Sequence, residues 1–125
     1  RHAGNTALLT GDLEGVGQER VVRLPLPPID VLLAPHHGGK DANARRVGKE
    51  QFAPGPVATW AKPRLVVSCQ KAGQTDHLRA AYGVFGGDVW DTPTCGAVTV
   101  RSHPTGMVAE AYRTGEVWVV RRSGG

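Results

Sequence analysis

Three short stretches carry the side chains best suited to chemistry. His36 and His37 stand together after Pro35 and before Gly38-Gly39. Asp12 follows Gly11 at the end of an apolar run, and His77 follows Asp76 in a polar stretch. Imidazole and carboxylate groups ligate divalent ions, and an ion so held activates water for hydrolysis. Adjacent histidines point in different directions, so one can ligate an ion while its neighbour contacts substrate. Each feature also has a plainer reading. Gly-Asp suits a turn, and two loop histidines can simply be solvated. Asp76 can N-cap a helix and leave His77 exposed, whereas the same helix start could receive an anion beside His77. His103, before Pro104, reads as an exposed hairpin-loop residue, and His2 carries little information.

The elements that must position these residues alternate in type. Thr6 to Thr10 reads as a short strand ending in Gly-Asp. Leu13 to Leu24 has near-helical apolar spacing, and Pro25 stops it; Pro25 to Pro28 is a rigid linker. Ile29 to Ala34 is an apolar run interrupted only by Asp30, the pattern of a strand covered on both faces. His36 to Arg46 reads as a polar loop, 47 to 52 is ambiguous, and Val57 to Lys62 fits a short helix. Leu65 to Cys69 is a second buried-type strand with Cys69 as a small core residue, and Gln70 to Thr75 is a polar loop. Asp76 to Phe85 fits a helix that Gly86-Gly87 ends, and Asp88 to Trp90 a short strand. From Gly96 the period becomes two: Ala97–Arg101, Met107–Tyr112 and Glu116–Val120 form an antiparallel meander. The fold class is therefore α/β (α+β), a mixed sheet with flanking helices and a closing meander.

Composition bounds the rest. At 125 residues one domain with a modest core fits, and 17 Gly with 9 Pro argue against a helical bundle. No apolar run approaches the ~20 residues that span a bilayer. The chain opens on Arg1 and its only Met is Met107, so a cut piece or a designed one is expected. Net charge is +4, with cations at Arg45, Arg46 and Lys49, at Lys62 and Arg64, and at Arg121 and Arg122. Scattered positive charge is ordinarily solvated surface; its sharper reading is a polyanion partner. Cys69 and Cys95 lack metal-knuckle spacing, and sequence leaves open whether they pair.

The order of these stretches resembles the C-terminal half of a metallo-β-lactamase fold domain. More narrowly, it is similar to that domain of the ComEC-type competence proteins, which take up DNA. The resemblance rests on LLTGD (Leu8–Asp12) followed by Glu14, and on DVLLAPHHGG (Asp30–Gly39). It continues through KPRLVVSCQ (Lys62–Gln70), Asp76-His77 and WDTPTCGAVTV (Trp90–Val100). It implies half of an αββα sandwich, spanning 1–125 as a single partial domain. It implies a two-ion centre, zinc or manganese, with Asp12 bridging and one of His36 and His37 ligating the second ion. The other histidine would sit beside the phosphate; His36 and His77 are thus the catalytic candidates, with His77 meeting the scissile phosphate or leaving group. The implied activity is metal-dependent phosphodiester hydrolysis on incoming single-stranded DNA. The implied location is the bacterial cell membrane, reached through the parent's channel and not this segment, with the domain outside the cytoplasm.

The departures are specific. The family's HxHxDH motif, the main metal-gathering element, is absent and is expected before residue 1. The serine of HHGS is Gly39 here, and the GHP element is reduced to Asp76-His77. The chain alone is therefore expected to be inactive and to hold little or no stoichiometric metal. Half of the sandwich should leave an apolar sheet face needing a partner, either the missing half or a second copy. Two other readings stand beside the enzyme fragment. One is a non-catalytic DNA-contacting or assembly module; the other is a different hydrolase of the same fold, such as a lactonase.

Overall fold

The structure, a computed structural model, describes residues 1–26, 28–70 and 75–122. Four short strands form a parallel sheet: β1 (Ala7–Leu9), β2 (Val31–Leu33), β5 (Leu65–Ser68) and β6 (Asp88–Asp91), in the order β1-β2-β5-β6. Each new strand is added to the same side. Right-handed crossovers running in one direction must place their helices on one face. That face is covered by α3 (Pro56–Ala61) and α4 (Asp76–Tyr82), with Leu13 and Val22 flanking α1 (Gly15–Val21).

The period-two alternation of the strands sorts the core. Leu8, Leu32, Val66 and Val89 lie in register across the sheet and pack with Val57, Ala58, Leu78, Ala81 and Tyr82 on the helical side. Val31, Leu65, Val67 and Trp90 face the other way, onto Met107, Ala109 and Ala111. Those three belong to β8 (Gly106–Ala111), the centre of an antiparallel meander between β7 (Val98–His103) and β9 (Val117–Arg121). The α/β class with a closing meander is thus what the chain adopts, and the parallel and antiparallel strands form separate sheets. The expected open apolar face of the parallel sheet is not found, because the meander covers it. The meander's outward surface alternates Val108, Val117 and Val119 with Thr99, Arg101 and Glu110, and an Arg101–Glu110 ion pair at 2.9 Å crosses it. No helix among the described residues is long and apolar enough to cross a membrane.

Three local expectations are corrected. The stretch 36–46 is not a loop. It folds as a tight turn at Pro35–Gly38, a one-turn helix α2 (Lys40–Asn43) and the strand β3 (Ala44–Gly48). The ambiguous 47–52 supplies the end of β3, the hairpin turn and the start of β4 (Gln51–Pro54), which pairs with β3. Cys69 is exposed, one residue past the strand; Cys95 is buried, and the two thiols are free. Burial, with Glu116 and Asp91 nearby, pushes the Cys95 thiol up. Of the expected 70–75 loop, residues 71–74 lie outside the described residues.

Asp30, the one charge in its apolar run, fastens the two sheets together. Its side chain is completely buried. It accepts from the Thr6 amide at 2.9 Å and from the Arg122 guanidinium, with Arg64 Nε at 3.8 Å. Arg122 also donates to Asn5 Oδ1 at 2.8 Å, and Asn5 donates to His103 O and Gly106 O at 2.8 and 3.1 Å. A buried carboxylate is tolerable only when paired and hydrogen-bonded, and removing one partner strands the other charge. Asp30→Ala should lower unfolding free energy by about 3 kcal/mol. Urea melts check this, with loss of the meander's tryptophan signal as the local readout.

Candidate functional site

The four parallel strands deliver their carboxyl ends to one edge, where ligands of open α/β sheets bind. Asp12 lies just beyond β1 and the His36-His37 turn just beyond β2. Two bonds hold these loops together. Thr10 Oγ1 donates to Leu33 O at 2.8 Å, and the His36 amide donates to Gly11 O at 2.8 Å. LLTGD and APHHGG are therefore neighbours in space as well as similar in build.

The turn itself is strained. His36 (φ 50°, ψ 50°), His37 (φ 57°, ψ 13°) and Gly38 (φ 92°) are three successive left-handed residues. For a residue with a Cβ this conformation costs roughly 1–2 kcal/mol. Buried side chains from three elements hold it by capturing its carbonyls. Asn43 Nδ2 donates to Pro35 O at 3.0 Å and to Gly39 O at 2.8 Å. Ser68 Oγ, at the end of β5, donates to His37 O at 3.3 Å, and His77 Nε2 meets Gly38 O at 2.6 Å. Tyr82 Oη in turn donates to Asn43 Oδ1 at 2.6 Å. Burial pushes the Tyr82 hydroxyl above its ordinary value of 10.0. A Cβ on Gly38 would stand 2.2 Å from Ser68 Oγ, so only glycine fits beneath the histidines.

The clamp leaves both imidazoles facing outward, each beside a carboxylate. His37 Nε2 lies 3.4 Å from Asp12 Oδ1, and His36 Nδ1 lies 3.3 Å from Glu14 Oε2. Asp12 and His37 are 80% and 71% exposed and Glu14 and His36 59% and 47%, so neither pair contributes more than about 1 kcal/mol to folding. Beside them lies an open cleft of about 440 Å³, lined by Glu14, His36, Lys40, Arg46 and Gln70 with His77 at its base.

The structure thus brings Asp12, His36 and His37 to one edge and places His77 differently. His77 is 2% exposed, packs edge-on to Phe52 at 6.0 Å between ring centres, and spends Nε2 as a donor to the turn. His77 is thus not the exposed residue of the capping reading; it is a buried positioning residue whose ring borders the cleft. Asp76 is exposed and makes no cap bond. His103 closes β7 and is exposed. Glu14 and Ser68 fall within or beside the family-like stretches and Tyr82 on the apolar side of the 76–85 helix, but nothing in the sequence marks them or Asn43 as partners of the histidine turn.

As a metal centre the donor set is half complete. Each imidazole faces a single carboxylate, whereas zinc takes four ligands and catalytic sites draw three from protein. Among the described residues no three His, Cys, Asp or Glu side chains converge. Further protein ligands would have to come from elsewhere. No family model, curated protein or solved structure matches the chain.

Two predictions follow from the clamp. Gly38→Ala should cost about 2–4 kcal/mol, with partial recovery in Gly38→Ala/Ser68→Gly, which removes the clash but not the φ penalty; denaturant midpoints read both. Tyr82 is pushed up on folding, so the unfolded chain releases this proton first as pH rises. Its contribution is complete below pH 10 and is lost progressively above it. Tyr82→Phe should lose about 1–2 kcal/mol at neutral pH and flatten the decline above pH 10, as stability curves at several pH values would record.

Proposed function

We propose that the chain is the C-terminal half of a metallo-β-lactamase fold domain of a ComEC-type DNA-uptake protein. The whole domain hydrolyses phosphodiesters of incoming single-stranded DNA, outside the cytoplasm of a bacterial cell. The observation that carries this reading is the His36-His37 turn. Strain of this kind is retained where the surroundings over-determine it, and it clusters at functional sites. Here two imidazoles are held in a costly conformation by buried groups, at the ligand-binding edge of a parallel sheet, each beside a carboxylate.

In this reading Asp12 and His37, together with His36, are the metal-facing donors, and His36 reaches the cleft where substrate phosphate would lie. Two bound divalent ions would activate a water and carry the charge that develops on the phosphate. Glu14 stands 3.3 Å from His36 Nδ1 and can orient that imidazole, while Asp12 stands 3.4 Å from His37 Nε2 on the same edge. His77, Ser68 and Asn43 keep the turn rigid, so the donors need little reorganisation when an ion arrives. The remaining ligands belong to the missing HxHxDH half. A second reading, a non-catalytic DNA-contacting or assembly module, is favoured by the pairing itself. Each imidazole has one carboxylate neighbour rather than a shared ligand shell.

The purified chain should carry well under one zinc or manganese per molecule by elemental analysis and leave single-stranded DNA uncut. A longer parent chain containing HxHxDH should carry two, and Asp12→Ala or His37→Ala in it should reduce cleavage at least about 100-fold. A parent sequence without HxHxDH removes the basis of the hydrolase reading. Two tightly held ions and nuclease activity in the chain alone would mean that its ligands are other than those named.

A further inference from the structure

The one-turn helix α2 and the β3–β4 hairpin that follows it stand beside the cleft and together carry a concentration of charge. Between Lys40 and Phe52 lie four cations, Lys40, Arg45, Arg46 and Lys49, against the two carboxylates Asp41 and Glu50. Thirteen residues thus hold half of the chain's net charge of +4. Lys40, Arg45, Arg46 and Lys49 are all exposed. Two of these cations are ordered by one ring. Arg46 is the cross-strand partner of Phe52, its guanidinium 5.2 Å from the ring centre, and Lys40 Nζ lies 5.6 Å from the same centre. Phe52 is in turn fixed against His77 beneath the turn. Both cations line the cleft that His36 enters, where Glu14 is already occupied by His36 and Asp41 is the one other carboxylate.

We infer that this hairpin is the backbone guide of the site: it binds the phosphates of a single DNA strand and leads them into the cleft. Cations held on an aromatic face lose less freedom when a phosphate arrives, because part of their ordering is already done. Arg45, next to Arg46 on β3, points to the opposite face of the hairpin, and Lys49 extends the charge from its turn. An extended polyanion can run from the pair on Phe52 toward Lys49 at the hairpin turn, whereas a lone phosphate reaches only the pair. With its neighbouring cations and His77 packed against it, Phe52 is not a base-stacking platform; the hairpin therefore reads backbone and not sequence. This rests on the proposed function for its substrate class, and is tested without metal or turnover.

The experiment is fluorescence anisotropy of a labelled twelve-residue oligo-dT with the intact chain, titrated at several salt concentrations. Lys40→Gln/Arg46→Gln should weaken binding roughly tenfold and flatten the slope of log K against log salt by about 1.4, as loss of two single-strand phosphate contacts requires. Phe52→Leu keeps the charges, and should weaken binding less while leaving the slope unchanged. Arg101→Gln/Arg121→Gln, on the outward face of the meander, should bind as the parent chain does. Thermal melts of each variant confirm folding. The inference is overturned by any of three results: no binding by the parent chain, hairpin variants within twofold of it, or equal losses from the meander pair. It is also overturned if inorganic phosphate at low millimolar concentration displaces the oligonucleotide, since that marks a site for one phosphate. Hairpin-dependent binding in a protein whose longer parent takes up no metal would sink the hydrolase reading and leave the guide standing.

Discussion

Everything at the candidate site depends on one constraint: the carbonyls of a left-handed turn are buried and must be hydrogen-bonded. Two left-handed histidines cost roughly 2–4 kcal/mol together. Four side-chain bonds to the turn, at about 1 kcal/mol net each, offset a cost of that size. The donors come from α2, from the end of β5 and from α4. The turn therefore cannot relax without disturbing the helix above it and the strand beside it. Equally, α4 cannot shift without leaving Gly38 O unsatisfied under His77. A local strain has been distributed over three elements, and this makes the histidines' positions a property of the whole fold.

A second polar knot, around Asp30, does for the sheets what the clamp does for the turn. The helical side of the parallel sheet is held by apolar packing along α3 and α4, which is tolerant of small shifts. The meander reaches the chain's amino-terminal segment through Asn5 and Arg122, both bound to or through Asp30. Hydrogen bonds are directional where apolar contact is not, so this knot sets the meander's register over the sheet. The two knots lie at opposite ends of β2: Asp30 precedes it, and the histidine turn follows it. A three-residue strand is thereby pinned at both ends, which compensates for its shortness.

The fold class, the strands and the meander were legible because burial repeats with a period that sequence displays directly. Val31, Leu32, Leu65, Val66 and Val67 announce covered strands, and the alternation from Val98 onward announces a two-faced meander. The crossover rule then suffices to place the helices. The α2–β3 region was not legible. Lys40, Asp41, Arg45 and Arg46 read as loop because exposed polar residues carry no period, and β3 owes its pairing to β4 rather than to its own pattern. Asn43 and Ser68 were invisible for a different reason. Their role is to satisfy turn carbonyls, four and eight residues back for Asn43 and 31 for Ser68, and only the folded turn shows which carbonyls those are. His77 was noticed for its chemistry and belongs to the same class; nothing local distinguishes an imidazole that meets substrate from one that props a backbone. Asp30 did leave a signal. A lone charge inside an apolar run implies a buried partner, and Arg122 is that partner.

The contrast between the two sides of the turn bears on what it is for. Beneath it, the turn's carbonyls are held by the buried side chains of Asn43, Ser68 and His77 at 2.6–3.3 Å. Above it, the carboxylate–imidazole pairs are exposed, near 3.3–3.4 Å, and of little value to stability. A turn serving stability alone would gain nothing from presenting two histidines, since solvated residues without the left-handed penalty would fold more favourably. A rigid floor carrying loosely engaged donors is the arrangement a binding site requires. The floor sets direction, and the weak outer pairs can be exchanged for a ligand at low cost. The basic hairpin shares that floor through the Phe52–His77 contact. Donors and cations therefore share one buried histidine among their supports, and a change at His77 would reach both.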